Sequence, residues 1–185
     1  MARGVMTNNI MVRGRPGSGK TTLVVNVVKS LSAEGFKAAG FVTEEIRGGS
    51  HRSGFKVRDL RGDTATMAHI EYVGKPRVGK YGVDLEAFER VALEALDTTE
   101  GEVDFIVIDE IGRMEMASSN FRSVLMELLD IPIPLLATVH KAGDPFTGAL
   151  LDREDVSIYD IGPGSRGSLL EVIHGSLRGI LADTG

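Results

Sequence analysis

Nine residues, Gly14-Arg15-Pro16-Gly17-Ser18-Gly19-Lys20-Thr21-Thr22, match the pattern GxxxxGK[ST] in full. They lie between an apolar run ending Ile10-Met11-Val12 and a segment in which Leu23, Val24, Val27, Val28 and Leu31 recur at helical spacing. No other stretch constrains the fold as tightly, because the pattern functions only as a loop joining a buried strand to a helix, and the flanking periodicities supply both. A triphosphate carries several negative charges that backbone N–H groups must approach without side-chain interference, which Gly14, Gly17 and Gly19 permit. Lys20 is then expected to reach the β- and γ-phosphates, the Thr21 hydroxyl to ligate Mg²⁺ and Thr22 to contact the α-phosphate. A helix starting near residue 19 turns its positive end to the anion, and Arg15, Pro16 and Ser18 complete the expected nucleotide-binding loop.

Length and composition fit one α/β domain over residues 1–185: 42% of residues are hydrophobic and the net charge is −5. The chain has no cysteine, which excludes disulfides and thiolate metal sites and is compatible with a reducing cytoplasm, the expected location. Met1 to Asn9 lacks an apolar core of signal-peptide length, and charged residues interrupt every apolar stretch before about 18 residues, so no membrane segment is expected. Basic residues are scattered, leaving no electrostatic footprint for duplex nucleic acid. Protein partners are not specified.

Further along, Gly35 ends the first helical pattern and Phe36 to Thr43 reads as a second strand, closed by Glu44-Glu45. Gly48, Gly49, Gly54 and Gly62 surround Phe55-Lys56-Val57, which predicts a small hairpin excursion near 44–62 carrying Arg47, His51, Arg52 and Arg58. It reads either as a solvated face or as a lid or acceptor-binding element. Asp84 is placed to cap a helix reaching about Leu96, whose Leu85, Phe88, Val91, Ala92 and Ala95 form one apolar stripe. A strand from Val103 to Ile108, a helix from about Ser119 to Leu129, strands at Ile133–Val139 and Val156–Ile161, and a helix from about Ser168 to Leu181 follow. Such alternation predicts a mostly parallel sheet covered on both faces, with ligands outside the carboxyl ends of its strands.

The apolar run VDFIVI delivers Asp109-Glu110 at that end. In a Walker B arrangement the first acid orients Mg²⁺ and the second polarises the attacking water; since the strand is expected to stop there, Glu110 is free to turn toward the γ-phosphate. Phosphoryl transfer also benefits from a cation at the developing charge, and Arg113, Arg153 and Arg166 are the candidates. Thr138 reads as a polar sensor of the γ-phosphate or a plain strand threonine, and His140 as structural or exposed. The leading expectation is a hydrolase using Lys20, Thr21, Asp109 and Glu110. A nucleotide or small-molecule kinase is the alternative, with the 44–62 hairpin binding an acceptor; against it, Lys141 to Asp155 contains a single arginine, a sparse closing clamp. A nucleotide-gated binding module is a third reading, although the Asn-Lys-x-Asp signature of guanine switches is absent.

These residues together resemble the small P-loop nucleoside-triphosphatases first grouped from thermophiles, whose human member is called cancer-related nucleoside-triphosphatase. The resemblance spans nearly the whole chain: the loop 14–22, then Gly40-Phe41-Val42-Thr43-Glu44-Glu45-Ile46-Arg47 and Arg52-Ser53-Gly54-Phe55. It continues with Val78-Gly79-Lys80-Tyr81-Gly82-Val83-Asp84-Leu85 and Ile108-Asp109-Glu110-Ile111-Gly112-Arg113-Met114-Glu115. It implies a three-layer P-loop NTPase fold with a mostly parallel RecA-like sheet and helices on both faces. It also implies Mg²⁺-dependent hydrolysis of ATP, GTP and other nucleoside triphosphates to diphosphate and phosphate, with loose base selectivity. Arg113 stands where the family has lysine, His140 where it has proline, and Ser165-Arg166 where it has Asn-Arg.

Overall fold

The computed structural model describes residues 8–49, 51–99, 102–140 and 145–184. The signal-peptide reading of Met1 to Asn9 and the start of the 141–155 clamp therefore fall largely outside the described residues. Strand β1 (Asn9–Gly14) leads through the glycine loop into helix α1 (Lys20–Ala33). After β2 (Ala38–Gly48), strands β3 (His51–Asp59), β4 (Thr64–His69), β5 (Arg77–Val78) and β6 (Tyr81–Val83) precede helix α2 (Leu85–Ala95). Then come β7 (Phe105–Ile111), a 3-10 turn (Glu115–Ala117), α3 (Ser119–Asp130), β8 (Leu135–His140), α4 (Pro145–Leu151), β9 (Val156–Asp160) and α5 (Arg166–Thr184).

Among the described residues the strands join in one nine-stranded sheet, ordered β5-β6-β4-β3-β2-β7-β8-β1-β9. The parallel part, β2-β7-β8-β1-β9, is the sheet that alternation of strands and helices predicts. Its central strands β7, β8 and β1 are buried on both faces because helices cover both, while β9 at the edge is partly exposed. Ile10, Val12, Phe105, Val107 and Leu136 point to α1 and α5, packing with Leu23, Val27, Ile173 and Leu177. Met11, Phe41, Ile106, Ile108 and Ala137 point to α2 and α3. There Phe41, Phe88 and Phe121 meet edge-on, with ring centroids 5.7, 5.9 and 5.4 Å apart, each pair contributing about 0.5–1.5 kcal/mol beyond area burial. Gly40 has φ +122°, and a Cβ on it would lie 1.9 Å from the Val107 carbonyl oxygen, so β2 and β7 pack closely only because the site is glycine.

Several boundaries differ from the sequence reading. The hairpin expected near 44–62 is present and belongs to the main sheet: β2 runs on through Glu44-Glu45 to Gly48 and pairs antiparallel with β3, which pairs with β4. Apolar alternation is weak there because cross-strand ion pairs take its place, Glu44 lying 2.8 Å from Lys56 and 2.7 Å from Arg58. The strand expected to stop at Ile108 continues to Ile111, with its pairing to β8 interrupted between Ile108 and Ile111; the Asp109–Glu110 peptide is cis. Within the 141–155 segment, residues 145–151 form α4. The Asp84 cap is present, its carboxylate accepting from the Ala87 N–H at 3.2 Å. Among the described residues no helix is long and apolar enough to cross a membrane.

Candidate active site

The carboxyl ends of β1, β7 and β8 open into a cavity of about 930 Å³. On one side is the loop after β1. Gly19 caps α1 with φ +94°, and the Leu23 N–H is the first to bond back, to the Gly19 carbonyl at 2.9 Å. The N–H groups of the first helical turn are therefore aimed out of the helix, a ready site for an anion. Lys20, only 5% exposed, donates to the carbonyls of Gly14 (3.1 Å) and Arg15 (3.3 Å), and its Nζ lies 3.1 Å from Glu110 Oε2. The loop folds tightly: a Cβ on Gly14 would sit 2.6 Å from Ser18 Oγ and 2.5 Å from Ile161 Cγ2. Ser18 Oγ is buried with no hydrogen-bond partner, a hydroxyl whose chemistry suits a phosphate oxygen.

Asp109 is fully buried. Its Oδ1 accepts from the Thr138 hydroxyl at 2.6 Å, while Oδ2 has no partner. Burial pushes its carboxyl up to about 6 against the hydroxyls of Thr138 and Thr21; Glu110 adds to the rise and Lys20 opposes it. A buried, unpaired carboxylate oxygen beside a threonine hydroxyl is a hard oxygen-donor set of the kind Mg²⁺ takes, so the residues present fit the ion. Among the described residues no group of three His, Cys, Asp or Glu is placed to hold a metal.

Sequence reasoning gave Glu115 no role of its own, yet its carboxyl is buried in the cavity wall at the start of the 3-10 turn. Burial pushes it up to about 8; the N–H groups of Glu115 and Gly112 oppose the rise, and Glu110 and Asp109 add to it. The two glutamates flank one small space: a Cβ on Gly112 would lie 2.8 Å from Glu115 Oε2 and 3.2 Å from Glu110 Oε1. The pattern of a buried acid after Gly112-Arg113-Met114 carries no sequence signal, because burial here comes from the turn and not from periodicity.

Arg113 and Arg166 are both exposed at the cavity rim, and Arg166, the first residue of α5, donates to the Ser18 carbonyl at 3.3 Å. Arg153 is elsewhere. It pairs with Asp130 (2.7 Å) and Asp155 (2.8 Å), tying the end of α3 to the start of β9, which removes it as a candidate for the developing charge. Thr138 is no free sensor either, since its hydroxyl is spent on Asp109. His140 lines the cavity. The far wall is built by the antiparallel strands: Glu45 pairs with Arg47 and Arg52, the Arg52 guanidinium lies 5.3 Å from the Phe55 ring centroid, and Phe55 meets Tyr81 edge-on at 5.1 Å. Thus Gly17, Gly19, Lys20, Thr21, Thr22, Glu110, Arg113 and Arg166 share one cavity, with Asp109 beneath it. Arg15 and Ser18 line an adjoining recess together with Ile161 to Gly164.

A family model described as NTPase matches residues 9–174. The nucleoside-triphosphatase THEP1 of Thermotoga maritima is 40% identical over 169 residues, covering 91% of this chain and 95% of the relative. That of Pyrococcus abyssi is 47% identical over 132 residues, covering 70% and 73%. Two solved structures are similar throughout. The crystal structure of THEP1 from Aquifex aeolicus has a TM-score of 0.80 at 31% identity, covering 91% of this chain and 98% of its own. The solution structure of a human cancer-related nucleoside triphosphatase has a TM-score of 0.79 at 33% identity, covering 93% and 98%.

Proposed function

Because this chain belongs to the NTPase family, we propose that its cavity hydrolyses nucleoside triphosphates to diphosphate and phosphate in a Mg²⁺-dependent reaction. The observation that carries the reading is the meeting of Lys20, Glu110 and Asp109 at the end of one crevice. The loop amides and Lys20 hold the phosphates, and Thr21 with Asp109 Oδ2 holds the metal. Held by Thr21 and Asp109, Mg²⁺ would supply positive charge against the charge that develops on the phosphates. Glu110 accepts a proton from water as the water oxygen bonds to the γ-phosphorus; the bond from that phosphorus to the β–γ bridging oxygen breaks, and the nucleoside diphosphate leaves with the electron pair. Arg113 and Arg166 add positive charge at the rim, where the transferring group becomes more anionic. These roles account for a broad range of substrates, since every contact so far named is to phosphate or metal.

Replacing Glu110 by Gln preserves shape and removes the base. Turnover should fall by about 10²- to 10⁴-fold with nucleotide binding retained, measured as phosphate release and by titration calorimetry. Unchanged turnover would remove Glu110 from the mechanism. Product analysis with each NTP, with and without nucleoside, nucleotide and metabolite acceptors, separates the hydrolase from a kinase: phosphate appears in water at the same rate in every mixture.

A further inference from the structure

The strand order β7-β8-β1 sets β8 between the strand that carries Asp109 and Glu110 and the strand that opens into the glycine loop. His140 is the last residue of β8, and the parallel register of β8 with β1 places it beside Gly14. Neighbouring strands lie about 4.8 Å apart, so His140 starts from a point close to the loop. The carbonyl of that same Gly14 holds the Lys20 ammonium at 3.1 Å. The direction of the imidazole follows from the pleat. Along β8, Leu135, Ala137 and Val139 pack on the side of α2 and α3, while Leu136 packs on the side of α1 and α5. Thr138 alternates to the second side, where its hydroxyl meets Asp109, and His140 follows two residues later on the same face. A Cβ on Gly14, its partner in register, would point to Ser18 Oγ at 2.6 Å, the inner side of the glycine loop. His140 is accordingly half-buried in the cavity wall with Lys20, Thr21 and Glu110.

We propose that the His140 imidazole donates to an oxygen of the γ-phosphate, which makes it a catalytic residue and the group by which the site tells triphosphate from diphosphate. The proposal rests on the hydrolase reading above and adds a contact at the transferring group. Imidazole carries a ring N–H whether neutral or protonated, so the contact does not depend on its charge. Lys20 approaches the γ-phosphate from the loop and Arg113 from the rim, whereas His140 approaches from the strand end between loop and acids. The Thr138 hydroxyl, one step deeper on that face, is already committed to Asp109. A short side chain on a strand end is held at a fixed point, and a donor fixed where charge develops acts more on the transition state than on the bound substrate. A diphosphate stops one phosphate short of it.

Titration calorimetry compares the β,γ-imido analogue of ATP with ADP, each with Mg²⁺, in wild type, His140→Ala and His140→Gln. Glutamine keeps an N–H donor at similar reach. Affinity for the triphosphate analogue should fall about tenfold in His140→Ala and largely return in His140→Gln, with ADP affinity equal in all three. No loss, or the same loss for both nucleotides, overturns the assignment. In turnover, His140→Ala should lower kcat about 10²-fold while moving KM far less. A change in KM alone would remove the catalytic role. The chain has four histidines, and the ring ¹⁵N resonance missing from His140→Ala identifies this one. It should shift when the triphosphate analogue is added and stay in place with ADP; a resonance indifferent to the triphosphate refutes the contact. Should wild type release no phosphate from any nucleotide, the hydrolase reading fails, while calorimetry and the spectrum still report whether His140 touches the γ-phosphate.

Discussion

A buried carboxylate has two oxygens to satisfy, and Asp109 receives one donor that the structure holds tightly, the Thr138 hydroxyl at 2.6 Å. Thr138→Val keeps the shape and removes that donor, which should destabilise the protein by about 1–3 kcal/mol in denaturant titration. The same bond favours the ionised acid, so its loss pushes Asp109 above about 6; the acid limb of the rate profile should move to higher pH, with more Mg²⁺ needed for half-maximal rate. An unmoved limb would mean that ionisation of Asp109 does not limit the reaction. Glu115 makes the opposite kind of statement. Its folded pKa, about 8, exceeds its ordinary 4.5, so the folded protein binds a proton that the unfolded chain releases. The stabilisation is complete below pH 4.5 and is lost as pH rises through 8. Glu115→Gln cannot ionise, and its Tm should exceed that of wild type by a margin that widens from pH 5 to 9, about 2–4 °C for each kcal/mol. A margin flat across that range would show that Glu115 is ionised in the folded protein.

Elements differ in how legible they are. The strand, glycine loop and first helix were readable because their signals are local: two periodicities and a glycine pattern that each require the other. The α2 cap was readable for the same reason, since Asp84 acts three residues from its own position. The β2–β3 hairpin was readable from its glycines, but its continuity with the main sheet was not, because β2 and β3 present charge on both faces and hold register by ion pairs formed across the turn. Nor was the course of β7 past Ile108, where pairing with β8 lapses for Asp109 and Glu110 and resumes at Ile111. That lapse accompanies the turn that Gly112 makes between two acids, and Gly112→Ala should act on both by driving a methyl between Glu110 and Glu115. The expected outcome is a loss of turnover larger than the loss of stability, seen by comparing kcat with Tm; a fall in Tm alone would make Gly112 a packing residue. Gly40→Ala tests packing proper. Its Cβ collides with the Val107 carbonyl, and the variant should be destabilised by about 4 kcal/mol or fail to fold, read from soluble yield and denaturant midpoint.

At the scale of the whole molecule, a ligand that binds only the folded chain raises its stability by mass action. Mg²⁺-ATP at 100 times its Kd should add about 2.7 kcal/mol, or about 5–10 °C in Tm, and Lys20→Ala should abolish the increment. If Lys20→Ala keeps the increment, the lysine is dispensable for binding. The resting protein has, however, already seated an anion on that lysine: Glu110 is its counter-ion at 3.1 Å. The arrival of a triphosphate is therefore an exchange, in which phosphate displaces a carboxylate from the ammonium, and measured affinity is the difference between two attractions. Glu110→Gln, relieved of the competitor, should hold nucleotide more tightly than wild type even as it turns over least. On the proposed mechanism the same exchange would set the order of events, the Glu110 carboxylate being freed to draw a proton from water as a phosphate takes its place on Lys20.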